Sequence, residues 1–430
     1  MAFLLTGFGI SIVAMIVLLV FFPKIKGHRL SLDTFWIPPL IGALVLLFSS
    51  VLDWQSFFDG LTSNTAMNPL EILALFFSMT FLSTVLDEVG FFEKLASLMV
   101  KKAGKSQFAL FFLLYSLSSI LTIFTSNDIV IITLTPFLIF FAKNAKINPV
   151  PYLVSEFVAA NTWSTLLIIG NPTNIYLASA AGISFFQYLS KMALPTIVGG
   201  AVSLSIMFLL FRKSLQAPLQ VEAPTVKIKD KFLFLVALIL LSCCIVLMAL
   251  SSFFSIPMWL ISVSSAGLLL VVFLFYLFFK PSTGCILTGS LKRLPFSLAP
   301  FLLSMFAFVL AFKKTGISLK VASYLSSFSS HVFSYGIASF LSANIMNNIP
   351  MSVLFSSLLT LAPTSPNAIY ATILSSNIAA FFTPLGALAG IMWMSILKEK
   401  GISFSFLRFT LYGALISIPT ITASLSILLL

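Results

Sequence analysis

Four polar side chains in a row, Thr125, Ser126, Asn127 and Asp128, interrupt the apolar stretch LTIFTSNDIVIITLTP at residues 121–136. Ser, Thr, Asn and Asp are helix N-cap types, because their side-chain oxygens accept from backbone N–H groups that have no partner inside the helix. The carboxylate among them could also exchange a proton or help bind a cation. Similar interruptions recur. Asn347 and Asn348 stand just before Pro350, while Asn171–Pro172 (with Thr173) and Thr383–Pro384 each read as a helix that stops and restarts. Proline suits the first helical position, so these pairs mark restarts. Asn161 and Asn377 lie in apolar runs shortly before the two breaks. Four helix N-termini meeting at one depth would offer N–H groups and positive dipole ends to an anion or a polar neutral solute.

Such residues must be weighed against simpler roles. Asn and Thr inside membrane helices also bond neighbouring helices, for about 0.6 kcal/mol each. An Asp at the centre of a membrane helix costs about 2.5–3.5 kcal/mol, so Asp128 is expected to face a cavity or a partner. It is expected to couple transport to protons or a cation, with a structural cap as the alternative. Glu156, about two turns into its span, reads first as a snorkelling or loop-capping carboxylate and second as a proton relay. Lys313 and Lys314 read as snorkelling at the outer interface. Trp163 could wall a cavity or simply pack, and His28 and His331 carry no signal. Cys243, Cys244 and Cys285 have no metal-ligand spacing and read as small apolar residues. No Asp–Asp pair, Ser–His pair or His/Glu cluster falls inside an apolar run, so an intramembrane enzyme and a metal centre are not expected. No cofactor is expected beyond a coupling ion, H+ or Na+.

These residues sit in a chain of 430 that is 59% hydrophobic and 8% charged. A soluble fold of this size carries roughly three times that charge. Apolar runs long enough to cross a bilayer are expected at 3–22, 34–52, 69–88, 107–124, 128–142, 151–180, 187–211, 232–251, 256–279, 295–312, 333–346, 349–361, 368–396 and 407–429. The pairs 107–142 and 333–361 read as re-entrant hairpins. With the N-terminus outside, the cytoplasmic loops then collect every Lys and Arg, Arg29 included, except Lys191, Lys313, Lys314 and Lys320. The polar segment 212–231, with Pro218 and Pro224, reads as a cytoplasmic linker between a first repeat, 1–211, and a second, inverted repeat, 232–430. SNDI at 126–129 pairs with NNIP at 347–350, and GNPTN at 170–174 with TPLGA at 383–387. The expected fold is an all-α polytopic membrane protein of two inverted-topology repeats, each with a re-entrant hairpin and a broken helix, as in many secondary transporters. The expected location is a bacterial inner membrane. The net charge of +12 follows from topology and does not point to nucleic acid.

GNPTNI at 170–175, NIMNNIPM at 344–351 and the run SNIAAFFTPLGALAGIMWMSILKEKGISFSFLR at 376–408 resemble the ion transporter superfamily, and within it the arsenical-pump membrane proteins. The resemblance implies alternating access, with solute held between hairpin tips and broken helices. The solute would be arsenite or antimonite expelled against protons, sometimes with a soluble pump ATPase as partner; a homodimer is compatible with it. It assigns Ser126, Asn127, Asp128, Asn161, Asn171 and Thr173 to one half-site and Asn347, Asn348, Asn377 and Thr383 to the other. The tips depart from the Ser–Asn–Thr of sodium-coupled dicarboxylate relatives, and no Arg or Lys is evident at midplane. A sodium/proton antiporter or a dicarboxylate/anion symporter of the same superfamily are the alternatives.

Overall fold

The computed structural model describes residues 2–22, 24–26, 31–62, 68–219 and 225–430; His28, Arg29 and Pro224 lie outside them. The first half runs α1 (Ala2–Phe21), α2 (Ile37–Phe48), α3 (Trp54–Thr62), α4 (Pro69–Glu88), α5 (Phe91–Ala103), α6 (Gln107–Phe124), α7 (Asn127–Asn144), α8 (Val150–Trp163), α9 (Pro172–Ala180) and α10 (Phe185–Phe211). The second half runs α11 (Lys231–Phe254), α12 (Met258–Phe279), α13 (Gly284–Lys292), α14 (Leu298–Lys314), α15 (Ile317–Ser326), α16 (His331–Met346), α17 (Asn348–Leu361), α18 (Asn367–Ile378), α19 (Leu388–Glu399) and α20 (Phe406–Ile427). A two-stranded antiparallel pair, β1 (Lys24–Lys26) with β2 (Ser31–Asp33), joins α1 to α2 and has no forerunner in the hydropathy pattern.

Taken in order, α1–α10 match α11–α20 one for one. In both halves a long helix ends at a left-handed glycine, Gly90 (φ 89°) or Gly316 (φ 75°), and a short helix follows. A residue with a Cβ pays for that conformation, so glycine sets the bend. The α14–α15 bend is 80°. The short helices α3, α5, α13 and α15 correct the sequence reading, which left these segments as loops. They are too short and too polar to register as crossings, and they serve as connectors.

Two faces can be traced by contacts. On one, Ser297 donates to Asp33 (2.8 Å), Lys280 pairs with Asp230 (2.6 Å), Lys229 N–H donates to Val89 O (2.9 Å), Leu219 N–H to Lys105 O (2.8 Å) and Lys143 Nζ to Lys400 O (2.5 Å). This is the basic face. The linker is therefore fastened at both of its described ends to the ends of α5 rather than hanging free. On the opposite face Lys314 pairs with Asp53 (3.0 Å), Ser365 N–H donates to His331 Nδ1 (2.8 Å) and Asn367 Nδ2 donates to Leu428 O (2.7 Å). Hydrogen bonds from Ser56, with the Lys314 ammonium, hold the Asp53 carboxyl below the usual carboxylate range. Hairpin α6–α7 begins and ends on the basic face, and α16–α17 begins and ends on the opposite one. The repeat is inverted.

Long helices α10 and α20 close the two halves against each other through small residues, as membrane helices do when nothing hydrophobic drives them together. A Cβ on Gly199 would stand 2.5 Å from Ser424 Oγ. One on Gly413 would stand 2.2 Å and 2.3 Å from the carbonyl oxygens of Phe381 and Phe382, backbone that cannot swing aside. Gly413→Ala is therefore expected to cost about 1–3 kcal/mol, read as a lowered thermal midpoint in detergent. Gly267→Ala, where nothing lies within 4 Å of the added carbon, should leave the midpoint unchanged.

Candidate functional site

Both breaks end on a glycine whose missing side chain lets the chain turn back on itself. A Cβ on Gly170 would meet Ser164 O at 2.3 Å, and one on Gly386 would meet Ala379 O at 2.1 Å. After Gly170 the helix restarts at once: Asn171 is the N-cap of α9, and its Oδ1 accepts from Thr173 N–H (3.1 Å) and Thr173 Oγ1 (3.1 Å). After Gly386 the cap is Ala387, with no side-chain bond, and α19 begins at Leu388. The expected restart at Thr383–Pro384 is thus four residues early. Thr383 lies within the break, where Asn344 Oδ1 accepts from its N–H (3.2 Å) and its hydroxyl (2.7 Å). The structural partner of GNPTN is accordingly the segment from Gly386, not TPLGA. A signal was present: Asn161 to Gly170 and Asn377 to Gly386 have the same spacing.

The tip of hairpin α6–α7 lies against the end of α8. Ser126 caps α7 by accepting from Ile129 N–H (3.5 Å), and Asn127 Nδ2 donates to Asn161 Oδ1 (3.0 Å). Asn161 in turn donates to Phe157 O (2.8 Å). Asn127 Oδ1 is buried and has no partner among the described residues. Asp128, next to it, is half-buried and has no hydrogen bond or ion pair with any described residue. An acceptor and a carboxyl left open at one helix N-terminus form a place for a hydrogen-bond donor, a proton or a cation.

The tip of hairpin α16–α17 is built differently. Asn347 holds φ 76°, ψ 154°, a region that costs a side-chain-bearing residue of order 1–3 kcal/mol. It persists because both sides are tied: Asn347 Nδ2 donates to Leu385 O (3.3 Å), and Asn348 N–H donates to Gly386 O (3.1 Å). This tip is fastened to the second break, with no carboxylate in it.

The resemblance assigns Asn377 to the second half-site, and in the structure its bonds reach the first break. Its Oδ1 accepts from Ser164 Oγ (2.9 Å) and Asn171 Nδ2 (2.7 Å); its Nδ2 donates to Asn174 Oδ1 (2.7 Å) and Ile373 O (2.9 Å). Thr173 Oγ1 meets Ser376 Oγ at 3.1 Å. One carboxamide thus joins the halves at their breaks with every hydrogen-bonding function used. Asn174 and Asn344 belong to this framework without a local signal, because a residue type does not disclose a partner 203 positions away, as for Asn174 and Asn377, or 39 away, as for Asn344 and Thr383.

Two more carboxylates lie in the helical interior. Glu156 is fully buried, which corrects the snorkelling reading. Thr135 Oγ1 lies 3.2 Å and 3.1 Å from its two oxygens, and the Trp393 indole stands beside it with its N–H closing no hydrogen bond. Asp87 was not singled out by sequence. It pairs with Arg293 and accepts from Thr133 Oγ1 (2.5 Å), while Arg293 also reaches Glu88 (3.3 Å) and Thr133 (3.1 Å). Helix α7 therefore offers one threonine to Asp87 and one to Glu156, next to Pro136, where the helix lacks a backbone N–H. Trp163, donating to Tyr115 OH (3.0 Å), packs rather than walls a cavity. No group of three metal-ligating side chains occurs among the described residues.

Comparison with known proteins agrees with this fold. A family profile described as "Citrate transporter" matches residues 1–370. The chain belongs to this family, within the ion transporter superfamily. It is 26% identical over 377 residues to the "Arsenical pump membrane protein" of Yersinia enterocolitica, covering 83% of this chain and 85% of that one. To the "Putative arsenical pump membrane protein" of Bacillus subtilis it is 25% identical, covering 76% and 81%. A "46 kDa membrane protein" of Mycobacterium leprae is 22% identical over 96% of both. The fold matches the crystal structure of the Alcanivorax borkumensis YdaH transporter with a TM-score of 0.59 at 15% identity, over 99% of this chain and 96% of that one. The chain is a multi-pass membrane transporter.

The saturated bonds at Asn377 and the open ones at Asn127 predict opposite phenotypes. Asn171→Ala and Asn377→Ala should each destabilise, by about 1–3 kcal/mol for each buried group left unpaired. In a double-mutant cycle their effects should fall short of additive by more than about 0.5 kcal/mol. Asn127→Ala should leave thermal stability closer to wild type than either. The check is unfolding of the purified variants in one detergent.

Proposed function

We propose that the protein is a secondary active transporter that moves a small uncharged hydroxide of the arsenite or antimonite type against protons, by alternating access. The observation that carries this reading is the open pair at the first tip, Asn127 Oδ1 and the unpaired Asp128 carboxyl. A hydroxylated neutral solute can donate to the amide oxygen, and the carboxyl can exchange a proton as solute enters or leaves. Glu156, buried with one hydroxyl donor and no cation beside it, is assigned as a second coupling group. Ser126, Asn161, Asn171 and Thr173 hold the first tip and break in shape. Asn347, Asn348 and Thr383 do the same for the second tip and break, and Asn377 is assigned to fasten the first break to the second half.

The family description names citrate, and the relatives' names point to arsenicals. Charge separates the two. No basic side chain is bonded to either tip among the described residues, and Arg293 is already taken up by Asp87 and Glu88. A multiply charged anion would rest on helix dipoles alone. The uncharged solute is favoured on that ground, ahead of a dicarboxylate/anion symporter; a sodium/proton antiporter using Asp128 as cation ligand is the other alternative.

By the positive-inside rule the basic face is assigned to the cytoplasm of a bacterial inner membrane, which puts the N-terminus outside. Residues 1–211 and 232–430 are assigned as the two repeats and 212–231 as their cytoplasmic linker. The reading accommodates a second copy of the chain and a soluble pump ATPase and requires neither.

Everted vesicles given an acid-inside pH gradient should accumulate arsenite, and a protonophore should abolish the accumulation. Asp128→Asn should cut coupled flux at least tenfold with the protein still inserted, and Glu156→Gln should lower it with normal expression. Full proton-coupled flux in Asp128→Asn would remove the role given to that residue. Accumulation of citrate or sodium in place of arsenite would overturn the substrate class.

A further inference from the structure

On the opposite face a cup of about 400 Å³ lies between three parts of the chain: the first turns of α4, the α9–α10 turn and the α11–α12 connection. Ser179, Ser184, Ser251, Ser255 and Trp259 line it, and its one ionisable group is Glu71. The Glu71 carboxylate is half-buried and has no hydrogen bond or ion pair with any described residue.

The floor of the cup includes Ile72, and Ile72 is also a wall of a second, narrow cleft. That cleft is lined by Phe76, Pro172, Tyr176, Ile349 and Ser352. Pro172 follows the Asn171 cap of the first break, and Ile349 follows Asn348 at the second tip. The cup therefore leads, past two apolar side chains, to the first break and the second tip. Ile72 and Phe76 are one helical turn apart on α4, so the barrier is about 6 Å thick along the helix.

We propose that the cup is the opposite-face vestibule of the transport route, that Ile72 and Phe76 are its inner barrier, and that it admits a small uncharged hydroxylated solute in preference to an anion. The inference rests on the transporter reading and adds to it a route and a selectivity. Three features argue for it together. The cup lies on the face opposite the basic one, it shares Ile72 with the cleft beside the first break and the second tip, and its lining offers hydroxyls and one open carboxylate with no basic group among the described residues. A carboxylate in a half-enclosed cup repels anions and accepts from hydroxyl donors.

The test uses a parent in which Cys243, Cys244 and Cys285 are replaced by Ala, reconstituted in lipid vesicles, with single cysteines introduced as reporters. The probe is a membrane-impermeant methanethiosulfonate. Ser179→Cys should react only from the face that carries Ser184, and Lys398→Cys only from the other. Ser352→Cys, a small change in the inner cleft, should react slowly in the parent. With Ile72→Ala added it should react at least tenfold faster, from the Ser184 face alone. Millimolar arsenite should slow labelling at Ser179→Cys several-fold more than at Lys398→Cys, which controls for direct condensation of arsenite with a thiol, and citrate should not; in Glu71→Gln the protection by arsenite should weaken.

Labelling of Ser352→Cys that Ile72→Ala leaves unmoved, or that comes from the basic face, would overturn the route. Protection by citrate and not by arsenite would overturn the selectivity. Flux of both solutes through the cysteine-free parent is measured on the same vesicles. Loss of the transporter reading would show there, as absence of flux, and the labelling pattern would still judge the route by itself.

Discussion

A helix that stops halfway across a bilayer leaves backbone N–H and C=O groups where no water is available to satisfy them, and such a stop survives only if the protein supplies the partners. This chain stops four times, at 125–126, 164–171, 347 and 379–387, and much of its buried polar chemistry answers that constraint. The Asn377 carboxamide bears the heaviest part: it fills both of its acceptor positions and both of its donors, and in doing so fastens the first break to the second half of the molecule. The glycines at 170 and 386 serve the same end, letting each chain return against its own helix end.

Once the breaks are held in this way, the two tips can differ. The second tip is tied down on both sides, to the point that Asn347 holds a backbone conformation with a cost of its own. The first tip is tied to a neighbouring helix only through Asn127 and Asn161, and Asn127 Oδ1 and the Asp128 carboxyl have no partner among the described residues. Within a shared architecture, the first half keeps the reactive groups and the second half provides the brace. Helix α7 extends this division, because its two threonines meet Asp87 and Glu156, carboxylates on different helices, a few residues beyond the tip. A small shift of this helix would change both contacts at once.

The hairpins, breaks and polar tips were legible in the sequence because each is a local event. Hydropathy marks the long helices, N-cap residues mark where helices begin inside apolar runs, and Pro172 marks a restart. Partners were not legible. Nothing local to Asn174, Asn344 or Asp87 says that it bonds to Asn377, to Thr383 or to Arg293, and nothing local to Glu156 says that Thr135 lets it stay buried. The late restart at Leu388 was missed because Thr383–Pro384 imitates Asn171–Pro172, whereas the glycine nine residues after each buried asparagine fixes the true correspondence. The short helices α3, α5, α13 and α15 have no such mark because each is short and only partly apolar.

Proton exchange driven by an uncharged hydroxide is what the proposed function requires. The direct measurement is the internal pH of proteoliposomes holding a pH-sensitive dye, to which an arsenite gradient is applied with no imposed pH difference. The expected result is a pH change in the lumen whose sign reverses with the direction of the gradient and which vanishes in Asp128→Asn. Arsenite movement with no pH change, or a pH change that citrate produces and arsenite does not, would contradict it.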